Sequence, residues 1–106
     1  MDSDAVWKSL ADATRRELLD RLHADAGQTL AELCEKLTMT RQAVSKHLAL
    51  LEEAELVVTL WRGREKLHFL NPAPIHAIYD RWIGKFDRDR VRALAALKKR
   101  LEEQNE

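Results

Sequence analysis

The sequence predicts a mainly α-helical chain with one small β-hairpin. Three observations carry this. Apolar residues recur at i, i+3, i+4 and i+7 along most of the 106 residues, the spacing of helices with one buried face. Gly and Pro are scarce, at three and two residues, which disfavours an all-β fold. One stretch, residues 56–70, breaks the helical pattern: LVVTLW is apolar and β-branched, Arg62-Gly63-Arg64 reads as a turn, and KLHFL returns.

The length fits a single domain spanning 1–106, and 45% hydrophobic content suffices for a core. Charged side chains balance at 18 basic and 18 acidic. Net charge therefore gives no support to a nucleic-acid partner, and any such case must rest on local clustering. One cysteine cannot form an intrachain disulfide, which fits a reducing compartment. No apolar run approaches the ~18 residues of a membrane span. The N-terminus also lacks a signal-peptide core. A cytoplasmic protein with no membrane partner is expected. No nucleophile–base pair, glycine-rich phosphate loop or metal-hydrolase motif is present, so the chain does not read as an enzyme and no cofactor is expected.

In chain order, residues 3 to 11 form a short helix carrying Val6, Trp7 and Leu10. Asp12 or Thr14 caps the next, and Thr14 with Glu17 has the spacing of a capping box. Leu18, Leu19 and Leu22 give that helix its buried stripe, and Gly27 follows its end. Thr29 opens a third helix with Glu32 completing a capping box, and Leu30, Leu33, Cys34 and Leu37 make its buried face. After a break at Thr38-Met39, Thr40 caps a fourth helix.

This fourth helix has two stripes. Val44, Leu48 and Leu51 are apolar; Gln42, Ser45, Lys46 and Ala49 run opposite, with Arg41 beside them in the first turn. The second stripe offers a guanidinium, an amide, a hydroxyl and an ammonium. Those groups donate to phosphates and to base edges in a major groove. An ordinary solvated face is the plainer reading of twelve residues alone. Context decides between them: two short helices joined by a tight turn, about 29–54, form a helix-turn-helix, whose second helix enters the groove by its N-terminal end. The polar stripe lies at that end.

The hairpin at about 56–70 then reads as a wing, with Gly63 supplying the turn. Arg62, Arg64 and Lys66 make its tip basic against Glu65 alone, suited to backbone phosphates or a minor groove. Asn71-Pro72 starts a last helix, about 72–103, with Ile75, Ile78, Tyr79, Trp82, Ile83 and Phe86 on one stripe, then Val91, Leu94, Leu97 and Leu101. Continuous, it would measure about 45 Å. Such a length exceeds what a core this small covers, which implies a dimer built on the first and last helices. The alternative is a helix broken at 84–90, and Gly84 is compatible with either.

Taken together, LADATRRELLDRL, TLAELCEKL, TRQAVSKHLALLEEAELV and WRGREKLHFLNP resemble the ArsR/SmtB family of bacterial winged-helix repressors. The resemblance covers roughly residues 5 to 85. It implies a winged helix-turn-helix homodimer on a palindromic double-stranded DNA operator, repressing until an inducer intervenes. It maps the groove-contacting positions onto Arg41, Gln42, Ser45 and Lys46, flanked by the cap Thr40. His47 neighbours Ala43 and Leu50 and reads as packed or phosphate-facing rather than base-reading. The dimer-interface candidates are Val6, Trp7, Leu10, Ile78, Tyr79, Trp82, Ile83, Phe86, Leu94 and Leu97.

Many members of this family sense metals. Here His76 and Asp80 stand at i, i+4, a spacing that can share a ligand or form a surface pair, and Asp87 and Asp89 lie beyond amid cations. Cys34 sits on the buried face, where a lone cysteine acts as a small hydrophobe. No metal site is expected, and the resemblance points to the branch without metal ligands; it names no effector. The alternatives are a metal- or thiol-responsive sensor on the same fold and a protein-interaction module.

Overall fold

The computed structural model describes residues 3–86 and 88–105; Asp87, one of the acids weighed above, lies outside them. The elements are α1 (Ser3–Leu10), α2 (Ala13–Ala24), α3 (Leu30–Glu35), α4 (Arg41–Glu53), β1 (Val57–Arg62), β2 (Glu65–Leu70), α5 (Ala73–Arg81), a short 3-10 turn (Ile83–Lys85) and α6 (Arg88–Gln104). The architecture is a winged helix-turn-helix. The chain divides into two compact units, with the boundary after His76.

Local chemistry sets the helix starts. Thr40 Oγ1 accepts from the Ala43 amide at 3.1 Å and opens α4. Thr29 and Glu32 form a reciprocal capping box at α3. At α2 the Thr14–Glu17 box does not form. Asp12 is the cap, its carboxylate accepting from the Arg15 amide at 3.0 Å, and Glu17 instead pairs with Arg21 at 3.0 Å. That amide holds the Asp12 carboxyl below its ordinary value. The cap's charge therefore stabilises fully above the unfolded carboxylate range and is lost as pH falls through the lowered folded value.

The core of the first unit is where the apolar stripes meet. Val6, Leu18, Leu22, Leu33, Val44, Leu51 and Leu56 are fully buried. α4 packs against α1, α2, α3 and β1, so it is braced on every inner side. Only Leu33 of α3 is buried outright; Cys34, expected on a buried face, is half-buried. A six-residue helix has too few turns to bury a full stripe.

The antiparallel hairpin pairs Arg62 with Glu65 at its tip and Val57 with Leu70 at its base. Gly63 has φ +62° at the first central turn position, where a tight hairpin needs glycine. A backbone bridge from Gln28 to His68 ties the segment before α3 to the wing.

α4 ends in a paired C-terminal motif: the Leu56 amide donates to the Leu51 carbonyl at 2.9 Å and the Glu55 amide to Glu52 at 3.0 Å. The motif needs a left-handed residue, and Glu55 fills it at φ +62°. A side chain there costs about 1–2 kcal/mol, part of which glycine's extra unfolded freedom offsets. Glu55→Gly is expected to raise stability by about 0.5–1 kcal/mol. Thermal melts check this, and a lower Tm would show that the Glu55 side chain stabilises the fold.

In the second unit the last helix is interrupted, the alternative the sequence left open beside a continuous one. α5 stops at Arg81 and α6 begins at Arg88. A Cβ on Gly84 would lie 2.9 Å from the Tyr79 carbonyl oxygen, so the chain folds back onto the helix end as only glycine allows. Trp82 and Phe86 pack edge to face at 5.0 Å, with Lys85 Nζ 5.3 Å from each ring. Tyr79, Trp82, Ile83, Phe86, Val91, Leu94, Leu97 and Leu101 are exposed, as is Trp7 in the first unit. Val6 and Ile78, expected on a partner-facing surface, are instead buried, and Leu10 is half-buried. They occupy the inward edges of stripes whose outer edges face solvent. No helix among the described residues is long and apolar enough to cross a membrane.

Candidate nucleic-acid interface

α4 separates its two stripes as its spacing requires. Val44, Leu48 and Leu51 are buried, while Arg41, Gln42, Ser45, Lys46 and Ala49 are exposed. Thr40 is exposed too, its hydroxyl oxygen engaged as the cap. Four polar side chains thus project from the first turns of a helix whose opposite face is locked in the core. That rigidity fixes their spacing before any partner arrives.

The wing faces this helix across a cleft of about 650 Å³, lined by Arg41, Ser45 and Ala49 on one side and Trp61, Arg64 and Lys66 on the other. The wing cations are not equivalent. Lys66 Nζ reaches Glu52 Oε1 at 3.3 Å and links the wing to the end of α4. Arg62 pairs across the turn with Glu65 at 3.7 Å. Both pairs are solvated and contribute at most about 1 kcal/mol. Arg64, at the tip, faces no carboxylate within ion-pair distance among the described residues.

His47 is half-buried on the side of α4 away from the cleft. The Arg15 Nη1 donates to His47 Nδ1 at 3.3 Å. An arginine has no acceptor to offer, so Nδ1 is the accepting nitrogen in this contact. Arg15 also donates through Nε to the Ser9 carbonyl at 3.2 Å and through Nη2 to the Lys8 carbonyl at 3.0 Å. His47 is therefore a joint between α4 and the end of α1, made through α2.

Sequence patterning does not reveal the Arg15 joint, the Lys66–Glu52 link or the place of Trp61. The first two join residues far apart in the chain. A signal for Trp61 exists: Leu60 and Trp61 are consecutive apolar residues on a strand, and alternation puts them on opposite faces.

Cys34 does not line the cleft. Among the described residues no three His, Cys, Asp or Glu side chains gather as a metal-holding group, and Cys34 has a free thiol.

A helix-turn-helix domain family model matches residues 10–59. The chain is 38% identical over 88 residues to the HTH-type transcriptional regulator YuzN of Bacillus subtilis, covering 77% of this chain and 96% of that protein. It is 37% identical over 75 residues to the HTH-type transcriptional regulator Rv2034 of Mycobacterium tuberculosis, covering 71% and 69%. The transcriptional repressor SdpR of Bacillus subtilis matches at 30% identity over 66 residues, covering 62% and 72%. Among solved structures, an ArsR-like transcriptional regulator from Rhodococcus sp. RHA1 superposes with a TM-score of 0.73 at 32% identity, covering 94% of this chain and 90% of that one. The cadmium sensor CMTR of Mycobacterium tuberculosis superposes with a TM-score of 0.58 at 29% identity, covering 74% and 81%.

Proposed function

Since the chain belongs to the ArsR/SmtB family of helix-turn-helix transcriptional regulators, we propose that it is a homodimeric repressor that reads a palindromic operator through α4 and is released by a non-metal signal. One observation carries the reading: Arg41 and Ser45 share a cleft with Arg64 and Lys66 of the wing, and Gln42 and Lys46 stand exposed on the same first turns of α4. Arg41 and Gln42 offer the fork and amide geometries that read guanine and adenine edges, and Ser45 and Lys46 serve bases or phosphates. The wing's Arg64 adds salt-sensitive backbone affinity. Two subunits would set two α4 helices about one DNA turn, ~34 Å, apart.

Support for the dimer comes from surface chemistry. Every described side chain of α6 from Asp89 onward is exposed, including Val91, Leu94, Leu97 and Leu101. A 17-residue helix with no buried face is marginal in water, and an apolar stripe of this kind calls for a matching one. Support for repression comes from the name of the relative SdpR.

The test is a gel shift with the DNA upstream of the protein's own gene, against excess unrelated duplex, with and without zinc. A shift that survives competitor and is indifferent to zinc is expected. The likeness to a cadmium sensor gives the rival a definite form: release by zinc or cadmium, lost in His76→Ala or Cys34→Ser. No shift beyond that given by unrelated DNA would favour a protein-interaction module.

A further inference from the structure

Trp61 is the aromatic side chain of the cleft's wing side, and none of the roles above uses it. It is the penultimate residue of β1, just before Arg62 and opposite Lys66, and 69% of it is exposed. It lines the cleft on the wing side, across from Arg41, Ser45 and Ala49. An indole left largely in water forgoes about 2 kcal/mol of burial. Single exposed apolar residues are common, but this ring lines a concave surface with Arg64, Lys66, Glu52 and Glu65, and the two carboxylates are already paired, Glu52 with Lys66 and Glu65 with Arg62.

That setting restricts its occupant. A second wing would bring the same cations against one another, which like-charge repulsion opposes. A purely apolar partner would have to desolvate Arg64, whose charge no carboxylate in the described structure meets. What fits is a ligand with an anionic group for Arg64 and, a few ångströms away, an apolar ring-sized surface for the indole. A nucleic-acid strand repeats that pair at every nucleotide, phosphate then sugar.

We propose that Trp61 is a DNA-contact residue, its indole packing on the deoxyribose of the strand that passes through the cleft between α4 and the wing. The contact is independent of base sequence, because every nucleotide presents the same sugar. It holds the wing on the strand while α4 reads bases, and it carries no charge. This rests on the proposed DNA-binding reading.

The test uses the full chain and two fluorescein-labelled 30-base-pair duplexes, one from upstream of its own gene and one with that sequence shuffled. Trp61→Ala is expected to weaken binding to both by about tenfold, the scale of burying part of an indole face against an apolar surface, with Trp61→Phe close to wild type. The slope of log affinity against log salt stays unchanged in Trp61→Ala, whereas Arg64→Ala lowers it by about 1. In 5-fluorotryptophan-labelled protein, the ¹⁹F resonance that Trp61→Phe deletes should shift when either duplex is added. Wild-type affinity in Trp61→Ala, or a Trp61 resonance that does not move, overturns the Trp61 assignment and leaves the DNA-binding reading standing. Failure of the wild-type protein to bind either duplex overturns both.

Discussion

Leu94→Glu with Leu97→Glu is expected to convert the protein to a monomer and to lower its affinity for a two-half-site operator by at least about 100-fold. The two leucines are 68% and 45% exposed and stand at i, i+3 on α6. Their burial in the proposed dimer is worth roughly 2 kcal/mol each per subunit, and glutamates in their place would have to enter that interface charged. Half-site contacts by one subunit survive, but the second binding event ceases to be intramolecular. That lost effective concentration sets the size of the effect. Sedimentation equilibrium and anisotropy titration on the same samples read both quantities. A variant that stays dimeric would place the interface elsewhere. A monomeric variant with undiminished operator affinity would show that one subunit binds alone.

Arg15→Ala is expected to destabilise the chain by about 2–3 kcal/mol, the scale of charged hydrogen bonds lost from a mostly buried group, with a Tm lowered by roughly 10 °C. The side chain is 15% exposed and its fork meets Lys8, Ser9 and His47. Lys8 and Ser9 supply carbonyls from the last turn of α1, which no intrahelical amide reaches. Removing the guanidinium takes this donor from the Lys8 carbonyl, leaves the Ser9 carbonyl with only the Asp12 amide at 3.5 Å, and loosens the hold of α1 on α4. Arg15→Lys should rescue little, because an ammonium cannot span three acceptors in one plane. Urea titration of the three proteins measures this. An Arg15→Ala protein with wild-type stability would mean that solvent replaces the joint at no cost.

The parts of the fold legible in the sequence are those set by neighbours in the chain. Val44, Leu48 and Leu51 define a buried face through periodicity alone, Thr40 and Thr29 start their helices with their own oxygens, and Gly63 makes its turn because a positive φ admits few other residues. What stayed hidden depends on three-dimensional approach. The apolar spacing runs through Ile83 and Phe86 as if the last helix continued, yet Gly84 sits against the Tyr79 carbonyl and the helix stops. His47 reads as a border residue, and only the fold supplies Arg15 beside it. Lys66 reads as one of three free cations, and only the packing of β2 beside α4 gives it Glu52. Composition could not find the interface either, since a net charge of zero averages over a cleft that holds Arg41 and Arg64.

The central claim is that the exposed stripe of α4 reads DNA. It is tested most directly by titrating the upstream duplex and its shuffled counterpart with wild-type protein, Gln42→Ala and Lys46→Ala at one salt concentration. Gln42→Ala should narrow the affinity ratio between the two duplexes by roughly tenfold, the scale of one bidentate base contact. Lys46→Ala should weaken binding to the upstream duplex. If both variants bind the upstream duplex as wild type does, α4 does not present its assigned face to DNA.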